Sequence, residues 1–586
     1  MKRLLFTLFL CLMALNLQAQ DNNTFSHTVE RGQTVYAIAT MYQVSVADII
    51  KLNPESQKKI RPGQVLLIPQ HTNHKPNQYT FHTIQKGETL YGLSIRYKVT
   101  GENIMKANPG LSASNFKEGA TIRIPAQTQL TPQTKTKLIT TYKTYKIKRR
   151  ETMYSLCRKF KLSSTQLISL NPLLKKGVKK GMEIRIPKEM KEVEVPVPAP
   201  IQNEYEVNAL LNQLTLTVPT RPSDAKIVLL LPFDTMSKIH TAQQKRFVEY
   251  YEGLLLAIDN MRQKGLNITL SVFDISRGSD QIKTILSTPT LKESNLIIGG
   301  VSSDQIKPIA SFAQEYGIKY VIPFTSKNDE VLSNSYIFQV NTPHSYLYDK
   351  AALAFCNLYK DDNVILVDTK DGYDKAKFIS TLKDEMDIKK IPYTNISIDV
   401  DIFSIELAKL YSLDKRNVVV PLSGTLDALN KIKSTLRMHA EITDEERPEP
   451  YHLTLFGYPE WQTYMRECLE DFYALDTHIY SNFYASSISP EVGQFYDLYK
   501  HWFSKTLINT YPKYSMLGYD TGMFFLKAIH TYGVHFEKHL QDISYKGLQS
   551  NFDFTRVNNW GGYVNTHLFM VHFSTDYTII RKSVEP

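Results

Sequence analysis

Polar side chains follow several short apolar runs in the second half of this chain. Ser302 and Ser303 come directly after "LIIGG", and Thr325 and Ser326 follow "YVIPF". If each run is a buried strand and the next residues open a helix, free backbone N–H groups and hydroxyls meet there, a combination that suits a carboxylate. Any one of these residues could equally be a plain helix cap. Their joint placement at strand ends is what indicates a ligand site.

Two more residues of this kind follow later runs. Tyr373 comes soon after "NVILVD", and Glu460 lies in "LTLFGYPEW". These residues also follow predicted strands, where ligands of open α/β sheets bind. The candidate ligand-binding set is therefore Ser302, Ser303, Thr325, Ser326, Tyr373 and Glu460.

Catalytic motifs are missing from the sequence. It contains no Gly-x-Ser-x-Gly, no His-Glu-x-x-His and no Gly-x-x-x-x-Gly-Lys-Ser/Thr. Its 15 histidines are scattered without metal-ligand spacing. We therefore predict a protein that is not an enzyme and that carries no cofactor and no metal.

Alternating strands and helices must position the candidate residues. "KIVLLLP" precedes an amphipathic stretch over about 243–263, and "NLIIGG" precedes a helix predicted over 303–316. A second series begins at "NVILVD" and continues through "RNVVVPL" and "HLTLFGYPE". Apolar strands joined by crossover helices form parallel sheets that are buried on both faces. Two such series predict two α/β lobes.

This half is similar to the type 1 periplasmic binding proteins, in the branch that binds branched-chain amino acids. The resemblance spans about 225–575 and is carried by "LIIGGVSSDQIKPIASFAQEYGIKYVIPFTSKNDEVL", "LFGYPEW" and "GYDTGMFFLKAI". It implies that hydroxyls after the third and fourth strands hold a ligand carboxylate, here Ser302 and Ser326 with Ser303 and Thr325 beside them. It also implies that Tyr373 packs on the ligand and that Glu460 pairs with its amine.

The second half departs from that family in two places. Leu422-Ser423-Gly424 stands where an aromatic residue usually follows a strand, and about 20 extra residues surround "MHAEITDEERPEPYHL". Both departures point to an altered pocket. The bilobed part is also similar to the outer-membrane activators of penicillin-binding proteins, which use this fold to contact another protein.

A short unit is repeated three times in the first half of the chain. Its openings align at Thr34, Thr89 and Thr152, and 19 residues after each opening comes an Asn-Pro pair. An Ile-Pro pair follows 15 or 16 residues later, at Ile68, Ile124 and Ile186. Spacing that is held three times indicates an internal repeat of about 45 residues. We name the units repeat 1 (25–70), repeat 2 (79–126) and repeat 3 (142–188).

Each repeat is predicted to fold as strand, helix, helix, strand. Gly32 and Gly87 suit a turn with positive φ, and the threonine two residues later can cap the helix that follows. Ser45 with Asp48, and Ser163 with Gln166, form capping-box patterns at the second helix. The closing strand alternates apolar and polar residues.

These repeats resemble the LysM domain, which binds polymers containing N-acetylglucosamine, such as peptidoglycan and chitin. In that family the glycan groove lies between the turn that enters the first helix and the loop before the last strand. The resemblance implies a site in repeat 1 at Gly32, Gln33, Thr34, Asn53, Pro54 and the loop up to Ile60. In repeat 2 it implies Gly87, Glu88, Thr89, Asn108, Pro109 and the loop up to Phe116.

Repeat 3 departs from the family at its turn. Arg150 stands where Gly32 and Gly87 stand, and a non-glycine residue with positive φ is strained. The fold of repeat 3 is expected, whereas its glycan groove is in question. One such shallow site binds weakly. Two or three sites on one chain raise the overall affinity for the polymer, because binding at one site raises the effective concentration at the next.

The N-terminal residues and the distribution of charge indicate the cellular compartment of the protein. Lys2 and Arg3 precede an apolar run that ends before Leu17-Gln18-Ala19, which predicts a signal peptide over 1–19 rather than an uncleaved anchor. Residues 20–189 hold 28 basic and 10 acidic residues although the whole chain has a net charge of +11. A basic exported region indicates a polyanionic neighbour, such as a wall polymer, an acidic glycan or a membrane surface, rather than nucleic acid. The alternative is a solvated basic face that has no partner.

The remaining cysteines do not indicate a disulfide framework. Cys157, Cys356 and Cys468 are odd in number and widely spaced, so we interpret them as small buried apolar residues. A linker is predicted over 190–224, where "KEVEVPVPAP" favours extended chain. The bilobed domain then covers 225–586.

Three functions compete at this level. The first is a non-catalytic exported wall protein that binds peptidoglycan glycan strands and holds or senses an amino-acid-like ligand. The second is an envelope scaffold or regulator of peptidoglycan synthesis whose lobes dock another envelope protein. The third, a wall hydrolase, lacks a segment to house its chemistry. In the first two cases the protein is expected in the periplasm or cell envelope.

Overall fold

The computed structural model describes residues 23–70, 79–126, 134–196, 203–215, 224–398, 403–441, 443, 449–486 and 488–584. The predicted signal peptide lies outside these residues, as does most of "ITDEERPE" in the second lobe. Among the described residues no single helix is long and apolar enough to cross a membrane. The two helices of repeat 1 pass that test only as a pair bent by 108°, on length and composition alone.

All three repeats have the predicted order of elements. Repeat 1 consists of β1 (Thr24–Thr28), α1 (Val35–Tyr42), α2 (Val46–Leu52) and β2 (Val65–Pro69). Repeat 2 consists of β3 (Tyr79–Thr83), α3 (Leu90–Tyr97), α4 (Gly101–Ala107) and β4 (Thr121–Pro125). Repeat 3 consists of β5 (Thr134–Lys146), α5 (Met153–Phe160), α6 (Ser164–Leu170) and β6 (Glu183–Pro196). The first and last strands of each repeat pair antiparallel.

The strands of repeat 3 are much longer than those of the other repeats. They pair from Thr134 opposite Pro196 to Lys146 opposite Glu183, with a register shift between Thr141 and Tyr142. A two-stranded arm therefore extends beyond the repeat itself. The predicted linker is only partly extended, because α7 (Glu204–Ala209) and a short 3₁₀ segment over Leu210–Thr215 lie within it.

The first lobe contains a seven-stranded sheet in the order β17-β18-β11-β10-β9-β7-β8. Its strands are β7 (Asp224–Leu231), β8 (Asn267–Asp274), β9 (Leu296–Gly299), β10 (Lys319–Ile322), β11 (Ile337–Gln339), β17 (Phe554–Arg556) and β18 (Tyr563–Asn565). Its helices are α8 (Ala242–Gln263), α9 (Ser279–Leu286), α10 (Pro289–Lys292), α11 (Ser303–Tyr316), α17 (Pro490–Phe503) and α18 (Tyr514–Tyr532). Only β17 runs antiparallel to its neighbour.

The second lobe contains another seven-stranded sheet, in the order β13-β12-β14-β15-β16-β19-β20. Its strands are β12 (Asn363–Asp368), β13 (Tyr393–Ser397), β14 (Asn417–Pro421), β15 (Leu453–Gly457), β16 (Thr477–Ser481), β19 (Phe569–Phe573) and β20 (Ile579–Ser583). Its helices are α12 (His344–Leu358), α13 (Ala376–Lys389), α14 (Phe403–Ala408), α15 (Leu426–Glu441) and α16 (Met465–Ala474). The two predicted α/β lobes are confirmed, although β19 and β20 make this sheet mixed rather than purely parallel.

Close helix packing stabilises the first lobe. A Cβ atom at Gly253 on α8 would collide with the backbone at Ser515, and one at Gly518 on α18 would collide with the backbone at Tyr250. The two helices therefore approach at backbone distance only because glycine occupies both positions. Apolar clusters lie on both faces of the first-lobe sheet, as expected for crossover helices on each side.

Repeats 1 and 2 pack on each other and on the first lobe. Trp560, between β17 and β18, is 3% exposed and belongs to the same apolar cluster as Phe25, Tyr42 and Phe81. The guanidinium of Arg123 lies 4.7 Å from its ring centroid. Trp560 of the bilobed part therefore lies in an apolar cluster that it shares with repeats 1 and 2.

Candidate functional site

The turn before the first helix is the same in all three repeats. Gly32 has φ of 80°, Gly87 has 83° and Arg150 has 73°. Thr34, Thr89 and Thr152 cap the following helices as predicted, each accepting a hydrogen bond from the backbone N–H three residues on. Arg150 therefore adopts the left-handed conformation without rebuilding the turn, at a cost of about 1–2 kcal/mol.

Several predicted glycan-binding side chains are used within the repeats. Both amide hydrogens of Asn53 go to backbone carbonyls, those of Ile49 and Leu67, each at 2.8 Å. Asn108 makes the equivalent pair of bonds at 2.7 Å each. These asparagines join the second helix to the last strand, so their amide hydrogens are not free for a sugar.

Gln33 and Glu88 are likewise engaged in holding the turn. The side-chain oxygen of Gln33 accepts from the Glu30 N–H at 3.0 Å, and Glu88 accepts from the Gln85 N–H at 2.8 Å. Glu88 also pairs with Arg96 at 3.0 Å. Because these side chains are already hydrogen-bonded, a ligand would contact mainly backbone groups and the walls of the groove.

The groove of repeat 1 faces the second lobe. Gly32, Gln33, Thr34 and Ile60 line a cavity of about 690 Å³ whose opposite wall is α12 and α13. Asn53 and Pro54 do not line it. The Gly32 N–H donates to an Asp349 carboxylate oxygen at 2.6 Å, and a Cβ at Gly32 would lie 2.7 Å from the Tyr346 ring.

Ion pairs hold repeat 1 against the second lobe. Arg31 Nη1 lies 3.0 Å from Glu385 Oε2, and Lys59 pairs with Asp384. Burial raises the pKa of Asp349, and the Gly32 N–H acts against that rise. Tyr36 donates to Asp329 of the first lobe at 2.7 Å. Repeat 1 therefore contacts both lobes.

The groove of repeat 2 is crossed by a segment of the same chain. We call Glu204–Thr215, which comprises α7 and the 3₁₀ turn, the covering segment. The side chain of Asn208 accepts from the Tyr91 N–H at 3.1 Å, and the Leu211 carbonyl accepts from the Ala113 N–H at 3.2 Å. Val207 is 3% exposed, within the core of repeat 2.

That placement covers the predicted site of repeat 2. Tyr91 lies just after Thr89, and Ala113 lies in the loop from Asn108 and Pro109 to Phe116. The covering segment therefore binds the two sides between which a glycan would lie. Gly87, at the edge of the groove, has open space around it.

The groove of repeat 3 is open among the described residues. The core of repeat 3 contains only its own side chains, and the hydrogen bonds described for 142–188 stay within the repeat. Tyr154 is 77% exposed beside the turn, and Leu173 is 67% exposed in the opposite loop. Residues 142–188 hold 14 basic and 2 acidic residues. An exposed aromatic and an exposed aliphatic side chain offer apolar packing to a sugar ring.

Sequence reasoning missed Tyr154 and Leu173. Tyr154 occupies the position of Tyr36 and Tyr91, two residues after the capping threonine, so the alignment of the repeats contained this signal. No pattern in one sequence, however, shows that repeats 1 and 2 are covered by other parts of the chain.

The predicted ligand residues of the bilobed part are only partly brought together. Ser303 and Ser326 share a cavity of about 540 Å³ beside repeat 1. Ser302 precedes α11 without capping it through its side chain. Thr325 turns onto its own loop, where its hydroxyl contacts the Lys327 N–H at 3.0 Å. Tyr373, which is 65% exposed, does not line that cavity.

Glu460 has a partner within the second lobe. It forms an ion pair with Lys375, which also lies 3.2 Å from Asp374. Lys375 therefore takes the place that the resemblance gives to a ligand amine. Trp461, directly after Glu460, is fully buried and donates to the Gly424 carbonyl at 3.0 Å.

One group of side chains has metal-ligand types. Asp476, His478 and His572 come together because β16 and β19 place the two histidines opposite each other. The two rings stack with centroids 4.0 Å apart and planes 8° apart. Parallel rings direct their nitrogen lone pairs side by side rather than toward one ion, and His572 already contacts Asp476 at 2.6 Å. Burial lowers the pKa of His478 to about 4.

The repeats match a known domain family. The profile of the LysM domain matches residues 27–69, 82–125 and 145–187. The chain therefore carries three LysM domains, as the sequence pattern predicted, and the third match includes the divergent turn at Arg150.

Curated relatives share this region only. The chain is 24% identical over 165 residues to the N-acetylmuramoyl-L-alanine amidase sle1 of Staphylococcus epidermidis, which is 28% of this chain and 51% of that protein. It is 32% identical over 98 residues to the enzyme of the same name from Staphylococcus aureus, covering 15% of this chain and 29% of the relative. The chain thus spans about half the length, or less, of the curated relatives it matches, and the match lies in the LysM region.

Two solved structures illustrate the similarity of the second half to proteins of ABC transport systems. One is an ABC transporter substrate-binding protein from Desulfitobacterium hafniense, with 13% identity, a TM-score of 0.38 and coverage of 61% of this chain and 100% of that chain. Another is an ABC-type branched-chain amino acid transporter protein from Rhodopseudomonas palustris, with 13% identity, a TM-score of 0.39 and coverage of 62% and 96%.

Proposed function

We propose that this chain is an exported, non-catalytic envelope protein that is retained on peptidoglycan by its LysM repeats and holds a small amino-acid-like ligand in its bilobed part. The observation that carries the proposal is the open groove of repeat 3, with Tyr154 and Leu173 exposed on its two sides. The basic surface around it suits a wall polymer that carries carboxylates.

The other repeats contribute differently to this function. Repeat 1 contacts both lobes, and repeat 2 is crossed by the covering segment. Repeat 3 is therefore the repeat that binds insoluble peptidoglycan. The name of the amidase relatives describes action on N-acetylmuramoyl-L-alanine, and the region that they share with this chain is the LysM region, to which we assign wall binding.

Sedimentation with purified peptidoglycan tests the grip. The full chain should pellet with insoluble peptidoglycan, and Leu173→Asp with Tyr154→Ala should lower the bound fraction several-fold. Tyr205→Ala is the matched control, because Tyr205 is 81% exposed and lies outside the grooves. Equal sedimentation of the double variant and the unaltered chain would exclude repeat 3 as the site.

A second candidate function is supported by Lys375. Because this lysine neutralises Glu460 from within the lobe, the amine site is already filled. A bilobed part of this kind would dock another envelope protein, for example one that regulates peptidoglycan synthesis. Thermal unfolding of the full chain in the presence of each amino acid separates the two functions. A ligand at 100 times its Kd adds about 2.7 kcal/mol to the free energy of unfolding and raises the melting temperature. A bilobed part that only docks a protein shows no change in melting temperature with any amino acid.

A further inference from the structure

The cavity between repeat 1 and the second lobe has two chemically different walls. One wall is the groove of repeat 1, from the turn at Gly32 to the loop that ends at Ile60. The other wall comes from α12 and α13 and from the loop after β10. No single domain forms this cavity, so its ligand has to satisfy both walls.

The cavity has the size of a small-ligand pocket. Its volume of about 690 Å³ lies within the range of small-ligand pockets, roughly 300–1,000 Å³. Lys59 donates to the Ser380 hydroxyl at 3.0 Å across the cavity, and Arg31 is paired with Glu385. Contacts on both sides of the groove therefore favour a fragment over a continuous strand.

The wall opposite repeat 1 carries two lysines, Lys327 and Lys377, beside His344. The acidic residues of the same wall, Asp349, Asp384 and Glu385, are engaged with repeat 1. Among the described residues neither lysine forms an ion pair, so both face the cavity without an acidic partner. Lysine ammonium groups bind carboxylates through charge-assisted hydrogen bonds.

The same wall leads to the first lobe. Ser326 lines this cavity and also the adjoining 540 Å³ cavity, which contains Ser303 at the start of α11. An extended group that leaves the groove of repeat 1 could therefore pass Lys327 and reach the hydroxyls of the first lobe.

We propose that this composite cavity binds a soluble fragment of peptidoglycan, namely an N-acetylated disaccharide that carries a short peptide with free carboxylates. The sugar lies in the groove of repeat 1, and the peptide carboxylates lie against Lys327 and Lys377. This proposal rests on the proposed function, since the fragment comes from the same peptidoglycan and its peptide is the amino-acid-like group that contacts the lobes. In this proposal the composite cavity binds soluble fragments released from the wall, while repeat 3 binds the intact wall.

Calorimetric titration of the full chain tests the proposal with three probes. These are the disaccharide-peptide from muramidase-digested peptidoglycan, a chitin disaccharide without carboxylates, and the free peptide. The disaccharide-peptide should bind at least about tenfold more tightly than either part, because linking two weak contacts gains effective concentration. Equal affinity for the disaccharide-peptide and the chitin disaccharide would overturn the proposal.

Variants on α13 make the test specific. Lys377→Ala should weaken binding of the disaccharide-peptide several-fold and leave the chitin disaccharide unchanged. Lys383→Ala is the matched control, because Lys383 lies on the same helix but bonds to Asn395 outside the cavity. The same affinity for both variants would refute the assignment of the carboxylate.

A separate readout distinguishes this proposal from the proposed function. Sedimentation with insoluble peptidoglycan through repeat 3 should be unaffected by Lys377→Ala. If the unaltered chain does not sediment with insoluble peptidoglycan, the proposed function is contradicted. If it sediments but does not bind the soluble fragment, only the composite site is contradicted.

Discussion

Repeats 2 and 3 have the same order of elements and differ in what surrounds them. The core of repeat 2 includes Val207 of the covering segment, whereas the described residues that form the core of repeat 3 all belong to that repeat. Repeat 2 (79–126) has 6 basic and 3 acidic residues, against 14 and 2 in repeat 3. The difference teaches that one domain family occurs in this chain in two settings, as a docked unit and as an exposed unit, and we propose that only the exposed unit binds the wall.

The largest effect on this comparison is expected at Trp560. Trp560→Ala removes a buried ring from the core shared by repeats 1 and 2, which costs about 3–5 kcal/mol for a buried Trp. Hydrogen exchange should become faster in repeats 1 and 2 and stay unchanged in repeat 3. Trp502→Ala is the control, because Trp502 is 58% exposed. Faster exchange in repeat 3 as well would show that the repeats are not independent.

The next effect concerns the covering segment. Val207→Asp places a charge in the core of repeat 2, so the segment should leave the groove. A second open groove on one chain should raise the affinity for insoluble peptidoglycan roughly tenfold. Tyr205→Asp, on the exposed side of the same helix, should change nothing. If Val207→Asp binds the wall no better than Tyr205→Asp, the groove of repeat 2 is not a glycan site.

Charge in repeat 3 should have a smaller effect. Replacing Lys175, Lys176, Lys179 and Lys180 by Ala should reduce sedimentation a few-fold at low salt. The effect should shrink at about 0.15 M salt, where the screening length is about 8 Å. Lys86→Ala with Lys106→Ala in repeat 2 is the control. Equal losses from both sets would mean that charge acts over the whole chain rather than at repeat 3.

The smallest effect is expected at Arg31. Arg31→Ala breaks the ion pair with Glu385, which is 6% exposed and keeps Lys389 as a partner at 4.0 Å. Because Arg31 is half-exposed, we expect a loss of about 1 kcal/mol in a urea unfolding curve. Arg61→Ala should have almost no effect, since Arg61 is 63% exposed and lies 3.6 Å from Asp384. If Arg61→Ala lowers the free energy of unfolding as much as Arg31→Ala does, the stability does not depend on the Arg31–Glu385 pair in particular.

Local features of the fold could be predicted from the sequence, because they depend on short-range patterns. The caps at Thr34, Thr89 and Thr152 and the helix over 303–316 follow from residue types within a few positions of each other. The mixed edge of the second-lobe sheet could not be predicted, because β19 reaches β16 from far along the chain.

The candidate sites could be predicted only in part. The pattern predicted grooves in the repeats, and whether those positions are accessible depends on Val207, Asp349 and Glu385, which are distant in sequence. Of the six predicted ligand residues, Ser303 and Ser326 line a shared cavity, and their binding role stays a prediction. Nothing in the sequence around Glu460 revealed Lys375 as its partner, because that pairing depends on the loop after β12.

The arm formed by β5 and β6 sets a distance. Its pairs from Thr134–Pro196 to Thr141–Glu189 lie beyond repeat 3, and eight residues of strand span about 27 Å. A two-stranded ribbon is marginally stable by itself, and the register shift after Thr141 gives it a place to bend. Under the proposed function the arm is a spacer, since its length separates the surface bound by repeat 3 from the start of the chain's next described segment.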